Sequence, residues 1–410
     1  MELVRLILLT RGAVVSAVRR ALLRSSRHPL VPEGWSDPVG DHAVGVRDAV
    51  IADLGPDATH GVIRVWYPAV AGAGGQPRAY SGDTREQETM VRGLRSLLSA
   101  RGARALGARR TASLPDAAIA VADAPVVVFS HGFTGFVGQN THLCEDLAST
   151  GYVVVSVAYP GAATAIAAPD GSASVMTAAD RRRLLSAEFA RTMLALLRAR
   201  SVDDEDAALA RAADVDSLDR ENARWTGHLT AVLDALVPAE ERARRLDERT
   251  ARVLDAADWS RLALVGMSFG GSTSANVAQT DRRVAAAVNL DGLQQGELLR
   301  LRDARVPMLV MSSAGSVLHS GRTVTDLHYA APGSSAGVRR VLVPEARHYA
   351  FTDLVEVGAG PARRLLGLGT IAPQRMLALV SETVRDFLSS ALRPAVAAGA
   401  LDAGTGEAGR

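Results

Sequence analysis

Residues 262–271 have the sequence Leu-Ala-Leu-Val-Gly-Met-Ser-Phe-Gly-Gly. The first four residues are apolar and predict a short buried strand, while Ser272–Gln279 is compatible with a helix. Between them lies a Gly-x-Ser-x-Gly turn, which in this strand-to-helix context forms a nucleophile elbow and holds its serine in a strained conformation. A side chain on either glycine, Gly266 or Gly270, would collide with the neighbouring strand or helix. The pattern alone is weak, but its context is the required one, so Ser268 is the candidate nucleophile.

Apolar stretches alternate with helix-compatible stretches on both sides of this turn. An uninterrupted apolar run such as Pro125–Phe129 is typical of a strand that is covered on both faces. The order of strand, helix and strand predicts a mostly parallel, doubly wound α/β sheet with helices on both faces. Further strands are predicted at Arg47–Ala52, Gly61–Trp66, Tyr152–Val157, Val284–Leu290, Val306–Ser312 and Val338–Val343, with helices at Glu86–Ala100, near Gln139–Ser149 and at about Ala372–Leu392.

The composition excludes several classes of protein. The chain has 410 residues, 48% of them hydrophobic, which is ample for a large core, and its length alone would also allow two domains. The net charge of +2 is well mixed along the chain, which argues against a nucleic-acid binder. Cys144 is the only cysteine, so the chain has no intramolecular disulfide and no cysteine-based metal site. Its apolar, helix-compatible setting predicts a core thiol.

Residues 1–28 form a basic amphipathic leader. Apolar residues recur there at helical spacing, but arginines interrupt them, so no apolar span of about 18 residues is available for a transmembrane helix. The arginines beyond Leu9 also argue against a signal peptide. A basic amphipathic helix can lie on an anionic membrane surface, but a helix packed on the protein's own domain or a poorly ordered leader is favoured. We therefore expect a cytoplasmic protein and leave open a peripheral membrane contact through this leader.

The predicted domain organisation has three parts. Residues 1–35 comprise the leader and a Pro/Gly-rich linker, 36–392 form one α/β domain, and 393–410 are an Ala/Gly-rich tail that is predicted to be disordered. Residues 165–255 break the alternation and predict a helical insertion that covers the edge of the sheet, with the acid-rich segment Asp203–Asp206 between two amphipathic helices. The sequence is equally compatible with a cap over the active-site cleft and with a solvated helical layer that has no substrate role.

A second glycine-rich turn, Ser130–Gly135, directly follows a predicted strand. Such a turn can aim backbone N–H groups outward, as an acyl-transfer enzyme needs for its oxyanion, although a simple strand-to-helix turn would look the same. With Ser268 present, an oxyanion hole is favoured, and its donors would be the N–H groups of Phe133 and Phe269. His131 is then a structural loop residue rather than the catalytic base.

The histidine that would act as base is identified by its position. A serine hydroxyl needs a base that takes its proton, and the base needs an anion that fixes its tautomer. In folds with this elbow, the order along the chain is serine, acid, histidine, and the histidine follows the last strand. His348 fits that position, whereas His319 and His328 follow no predicted strand directly and are expected to be ordinary surface histidines.

The acid is less obvious. Its common position is the loop after the strand Val306–Ser312, yet no carboxylate occurs from Pro307 to Gly321, and the first one is Asp326. Asp291, at the end of the preceding strand, is the other position from which a carboxylate can reach the histidine. An aspartate before glycine can also be a simple turn residue. Because the usual loop offers no rival, Asp291 is favoured over Asp326.

Six stretches of the chain resemble the platelet-activating-factor acetylhydrolase family of serine esterases, and the resemblance covers roughly residues 40–390. They are Arg64–Pro68, Phe129–Phe133, Asp170–Ser174, Gly266–Gly271, Leu290-Asp291 and Arg347–Asp353. The resemblance implies the α/β-hydrolase fold and a calcium-independent esterase that removes short acyl groups from the glycerol sn-2 position of phospholipids. It also implies Asp291 as the acid and Phe133 and Phe269 as the oxyanion donors.

The chain departs from the family pattern beside the site. Met267 stands where the family usually has histidine before the nucleophile, and Phe133 replaces the usual leucine of the oxyanion turn. Both changes are expected to alter packing rather than mechanism. Bacterial polyester hydrolases and cutinase-like enzymes share the Ser130–Gly135 type of turn, but they place the acid after the later strand and are therefore the less favoured relatives.

The predicted function is ester hydrolysis by a Ser268–His348–Asp291 triad through an acyl-enzyme, with no metal and no cofactor. The predicted partner is a small-molecule or lipid ester, and the sequence does not identify the residues that bind it. A general carboxylesterase, a thioesterase, a lactonase or an acyltransferase on the same triad remain alternatives. A non-catalytic interaction module is disfavoured because such modules usually lose part of the triad.

Overall fold

The computed structural model describes residues 37–392 except 73–74, 96, 185, 295–303, 325–336, 358–362 and 364–365. The predicted leader and linker, residues 1–35, and the predicted tail, 393–410, therefore lie outside the described residues, as do Asp326 and His328. Within the described part of the chain, no helix is long and apolar enough to cross a membrane.

The described residues form a nine-stranded, mostly parallel sheet and a separate two-stranded hairpin. The strands of the sheet are β1 Ala43–Val50, β2 Val62–Ala69, β3 Ser113–Pro115, β4 Ala124–Ser130, β5 Val153–Val157, β8 Ala257–Met267, β9 Val284–Leu290, β10 Met308–Ser313 and β11 Val338–Val343, and those of the hairpin are β6 Ala165–Ala167 and β7 Ala173–Val175. The strand order in the sheet is β11-β10-β9-β8-β4-β5-β2-β1-β3. Strands β5, β4, β8, β9, β10 and β11 pair in parallel, while β2 is antiparallel to both β1 and β5.

Eleven α-helices surround the sheet in the described residues. They are α1 Thr84–Leu94, α2 Ala100–Gly107, α3 Thr141–Ser149, α4 Ala178–Leu184, α5 Ala187–Arg198, α6 Val202–Ala213, α7 Asp216–Leu236, α8 Ala239–Arg245, α9 Glu248–Asp255, α10 Phe269–Thr280 and α11 Pro373–Ala391. Together with the sheet order, they give the predicted α/β-hydrolase fold.

Alternate side chains of the central strands enter cores on opposite faces of the sheet. Val126 and Leu264 belong to a cluster with the α7 residues Trp225 and Leu229 on one face. On the other face, strand residues such as Val127 pack with α3 and α11. Since both faces are covered, these strands need apolar residues at every position, which explains their uninterrupted apolar runs.

The strand register brings the loops after four strands to one edge of the sheet. Ser130 pairs with Gly266 and Leu290 pairs with Met267, so β4, β8 and β9 end at the same level. Leu290 also pairs with Met311 of β10. Loops at the carboxyl ends of neighbouring parallel strands are therefore within reach of one another, as ligand sites of such sheets require.

The structure differs from the sequence predictions in several elements. The predicted helix Glu86–Ala100 is too long, because α1 ends at Leu94. Helix α2, which was not predicted, begins at Ala100, and the Ser99 hydroxyl caps it by accepting from the Gly102 N–H at 3.1 Å. The predicted strand Gly61–Trp66 continues to the end of β2, and β3 was not predicted.

The helices of the predicted insertion 165–255 begin later than expected, because its first residues form the hairpin β6–β7. Helices α4 to α9 occupy 178–255, and α7 packs through Trp225 and Leu229 on the face of the sheet that carries α10. The edges of the sheet are β11 and β3. That the insertion covers one of these edges stays a prediction. An apolar stripe on a helix predicts that it is buried, but it does not tell which part of the sheet buries it.

Candidate active site

The turn between β8 and α10 has the backbone of a nucleophile elbow. Ser268 has φ +57° and ψ −124°, a backbone conformation that residues other than glycine rarely adopt. A Cβ on Gly266 would lie 2.2 Å from the carbonyl oxygen of Gly270. A Cβ on Gly270 would lie 2.3 Å from the carbonyl oxygens of Ser130 and His131. Glycine is therefore required at both positions, and the serine is held in its strained conformation.

The structure brings Ser268, His348 and Asp291 into one hydrogen-bonded line. The Nε2 atom of His348 lies 2.9 Å from the Ser268 hydroxyl oxygen, and its Nδ1 atom lies 2.8 Å from Oδ2 of Asp291. The side chain of Asp291 is 1% exposed and that of His348 is 10% exposed, whereas Ser268 is only partly buried. Ser268 thus keeps some exposed surface, while the two groups behind it are largely shielded from water.

Asp291 follows β9 directly and is held by two donors, one at the end of β10 and one in the turn after it. Its Oδ1 atom accepts from the Ser313 N–H at 2.7 Å and from the Ser316 hydroxyl at 2.7 Å. Burial would raise the pKa of Asp291, but the hydrogen bond and charge of His348, together with these two donors, hold the pKa below its usual value. The carboxylate therefore stays ionised beside the imidazole.

The second glycine-rich turn lies over the serine. A Cβ on Gly132 would lie 3.1 Å from the Cβ of Ser268, so this turn approaches the nucleophile closely. Among the described residues, the backbone N–H groups of Phe133 and Phe269 donate to no protein acceptor. Some of the N–H groups that precede or follow them are occupied, since that of Thr134 donates to the Ala162 carbonyl at 2.9 Å and that of Ser268 to the Leu290 carbonyl at 2.8 Å. The free pair fits an oxyanion hole.

A buried amide pair links this turn to the histidine loop. Oε1 of Gln139 accepts from the Gly132 N–H at 3.2 Å, and its amide nitrogen donates to Oδ1 of Asn140 at 3.1 Å. The Asn140 amide then donates to the Phe351 carbonyl at 2.7 Å, in the 3-10 turn that begins at His348. No sequence pattern marked this pair, because glutamine and asparagine in a predicted strand-to-helix loop have many possible partners.

The other histidines considered above lie apart from this line. His131 is fully buried, and its Nε2 atom accepts from the Tyr159 N–H at 3.2 Å. Burial lowers the pKa of His131 to about 4, so it is a neutral part of the loop structure. His319 is exposed, and His328 lies outside the described residues.

An aromatic cluster joins the helical insertion to the elbow, and sequence reasoning assigned it no role. Trp225 of α7 is fully buried and stacks on Tyr159 with 3.9 Å between ring centroids. Its ring centroid also lies 5.0 Å from that of Phe269, the residue after Ser268. Trp225 recurs at helical spacing with Leu229 and Leu233, which predicts an apolar helix face. Its contact with the elbow depends on a helix crossing that no local pattern encodes.

Neither metal-binding nor reactive-thiol chemistry is evident in the described residues. They contain no group of three or more His, Cys, Asp or Glu side chains arranged to hold a metal ion. Cys144 is buried in α3, and burial raises the pKa of its thiol, as expected for a thiol in the core.

Comparisons with known proteins agree with this architecture. A model of the family described as platelet-activating factor acetylhydrolase, isoform II, matches residues 33–389. The ferulic acid esterase from Streptomyces cinnamoneus superposes with a TM-score of 0.64 at 22% identity, over 91% of this chain and 96% of its own. A dienelactone hydrolase-like promiscuous phosphotriesterase from metagenomic libraries gives 0.44 at 16% identity, over 86% and 100%. The first structural likeness supports the fold, the second is too distant for any argument, and no curated protein matches.

Proposed function

The chain belongs to the family of platelet-activating factor acetylhydrolase, isoform II, and we propose that it hydrolyses esters through a covalent acyl intermediate on Ser268. Membership of this family makes the chain a hydrolase that acts on esters. The observation that carries the proposal is the continuous line from the Ser268 hydroxyl through His348 to the Asp291 carboxylate, with 2.9 Å and 2.8 Å between the bonded atoms.

In the proposed mechanism, the Ser268 oxygen attacks the ester carbonyl carbon while Nε2 of His348 takes the hydroxyl proton. The carbonyl oxygen becomes an oxyanion that accepts from the N–H groups of Phe133 and Phe269. The intermediate collapses, the bond to the leaving alkoxide breaks, and His348 gives its proton to the departing alcohol. Water then attacks the acyl-serine with His348 again as base, which releases the carboxylic acid and restores the serine.

The surroundings of Asp291 support its proposed part in this cycle. An anionic carboxylate beside Nδ1 holds the imidazole in the tautomer whose Nε2 can accept a proton, and it stabilises the imidazolium that forms. The donors Ser313 and Ser316 occupy Oδ1 and leave Oδ2 for His348. A carboxylate held in this way is fixed in orientation before the substrate arrives, so little reorganisation is needed during the reaction.

We propose a short sn-2 acyl ester of a phospholipid as the substrate, and family membership supports this choice. The test is hydrolysis of p-nitrophenyl acetate, butyrate and octanoate beside an sn-2-acetyl ether phospholipid, all in EDTA. A strong preference for the acetyl phospholipid is expected. Turnover of the simple esters alone would identify a general carboxylesterase, and a preference for acyl thioesters would identify a thioesterase or an acyltransferase.

The triad itself is tested by Ser268→Ala. We expect this variant to lose ester hydrolysis and labelling by a fluorophosphonate while it keeps the wild-type melting temperature, because a serine and an alanine differ by one partly exposed oxygen. Full activity in Ser268→Ala would refute the assignment. Absence of labelling in the wild-type protein would instead support a non-catalytic interaction module.

A further inference from the structure

One carboxylate of the acid-rich segment Asp203–Asp206 is buried, although its neighbours on α6 are exposed. Glu205 has no exposed surface. Its Oε1 atom accepts from the Ser320 N–H at 2.8 Å, and its Oε2 atom accepts from the Ser320 hydroxyl at 2.6 Å and from Arg322 at 2.8 Å. A buried carboxylate is tolerated only with such partners, so Glu205 fastens the insertion to the segment that contains Ser320 and Arg322.

That segment is a short hairpin, residues 316–324. Val317 and Thr323 form an antiparallel bridge, and the Leu318 N–H donates to the Arg322 carbonyl at 2.7 Å. The Val324 N–H closes the base by donating to the Ser316 carbonyl at 2.9 Å. Backbone hydrogen bonds at both ends make the hairpin a stiff connection, so a displacement of its tip is transmitted to its base.

The base of the hairpin reaches the triad. Ser316 donates its hydroxyl to Oδ1 of Asp291 at 2.7 Å, beside the bond from the Ser313 N–H. One donor would leave the carboxylate free to turn about its last side-chain bond, whereas two donors on Oδ1 fix its plane and aim Oδ2 at His348. The contacts therefore run without a break from Glu205, through the hairpin, to the anion of the triad.

We propose that Glu205 is a positioning residue for the reaction: it holds hairpin 316–324 in place so that Ser316 fixes the orientation of the Asp291 carboxylate. This inference rests on the proposed triad and gives the helical insertion a part in catalysis that does not require contact with the substrate. Asp291 and Ser316 are 25 positions apart, and Glu205 and Ser320 are 115 apart, so no local pattern shows the connection.

The test compares Glu205→Gln with Asp206→Asn in the full-length protein. Asp206 binds the same Arg322 at 3.0 Å, but its side chain is 50% exposed, so it is a matched control with the same charge change. The measured quantities are the rate constant and the final stoichiometry of labelling by a fluorophosphonate, and kcat and KM for p-nitrophenyl acetate. A lower rate constant with full final labelling means that every molecule reacts more slowly. A lower final labelling with a normal rate constant means that fewer molecules are folded.

We expect Glu205→Gln to slow labelling and lower kcat by about tenfold, with unchanged KM and full final labelling, because misplacement of a triad group by a fraction of an ångström is costly. Asp206→Asn should stay within about twofold of the wild-type rate, as is usual for exposed ion pairs. In a Ser316→Ala background, Glu205→Gln should have less than about a twofold further effect, since the path it acts through is already broken.

Three results would overturn the proposal. The first is a folded Glu205→Gln protein that is labelled at the wild-type rate, and the second is a fall in final labelling of that variant that accounts for its whole loss of activity. The third is that the effects of Glu205→Gln and Ser316→Ala on the rate are fully additive. If Glu205→Gln does not fold, Ser320→Ala is the deciding variant, because it removes the hydroxyl that donates to Glu205. A reduced labelling rate in Ser320→Ala would support the connection between Glu205 and the hairpin, and a wild-type labelling rate would refute it. Failure to label Ser268 in the wild-type protein would contradict the proposed function instead.

Discussion

Replacing Asp291 by asparagine should reverse the hydrogen bond on which the proposed base depends. Oδ1 of Asp291 lies between two donors, the Ser313 N–H and the Ser316 hydroxyl, each at 2.7 Å. The backbone N–H cannot turn away, so the amide oxygen of the introduced asparagine would have to take the Oδ1 position. The amide NH₂ would then face Nδ1 of His348, where Oδ2 now lies at 2.8 Å.

This geometry fixes both the sign and the size of the effect. A donor facing Nδ1 forces the imidazole proton onto Nε2, which points at Ser268 and can then no longer take its proton. In serine enzymes with this arrangement, the wrong tautomer lowers kcat about 10⁴-fold. At about 1.36 kcal/mol for each factor of ten, the expected loss of transition-state stabilisation in Asp291→Asn is about 5.5 kcal/mol.

The assay is steady-state hydrolysis of p-nitrophenyl acetate together with the rate of fluorophosphonate labelling, which reports the reactivity of Ser268 directly. Asp326→Asn serves as the matched control because it makes the same chemical change in the rival acid and is expected to leave kcat within about twofold. An Asp291→Asn enzyme that keeps more than about a tenth of wild-type kcat would refute the tautomer argument. A large loss of kcat in Asp326→Asn would identify Asp326 as the acid of the triad instead.

Two further predictions concern the buried polar side chains of Gln139 and Glu145. Gln139→Ala removes the side-chain oxygen that accepts from the Gly132 N–H at 3.2 Å. Because the oxyanion turn then loses a support, kcat should fall about tenfold at constant KM. An unchanged kcat would contradict this prediction. Burial raises the pKa of Glu145 from 4.5 to about 7 despite the bond from the Ser113 hydroxyl. Its contribution to stability is therefore full below pH 4.5 and is lost as the pH rises through about 7. Glu145→Gln should reduce the difference in unfolding free energy between about pH 5 and about pH 7.5 by about 2 kcal/mol. Urea unfolding at these two pH values measures the difference, and a difference that the substitution leaves unchanged would refute the prediction.

The sequence was sufficient for the fold and for the residues that the structure brings together at the elbow. Strand periodicity and the Gly-x-Ser-x-Gly context locate β8, Ser268 and α10 because short local patterns determine them. The position of His348 follows from strand order alone, since the loop after the last strand lies at the same edge of the sheet as the elbow. These features depend on topology, which alternating strands and helices largely fix.

Other features depended on contacts between distant residues and were not predictable. The packing of Trp225 of α7 beside Phe269 is one of these features, because the shapes of both surfaces set the helix crossing. The start of α2 was missed because a single capping side chain, Ser99, marks it. The Ser316 hydroxyl that donates to Asp291 and the Gln139 amide that accepts from the Gly132 N–H lie in turns, where only the folded chain defines the partners of polar side chains.

The absence of any carboxylate between Pro307 and Gly321 has a physical reason that connects the sequence with the site. Leu290 of β9 pairs with Met311 of β10, so the residues just after Met311 lie beside Asp291. A second carboxylate there would repel the anion of Asp291 and raise its pKa, which would leave the imidazole without a fixed negative partner. The Ser313 backbone N–H and the Ser316 hydroxyl instead supply two donors that lower this pKa. The carboxylate at the end of β9 therefore requires uncharged residues after β10, and donors among those residues keep it ionised.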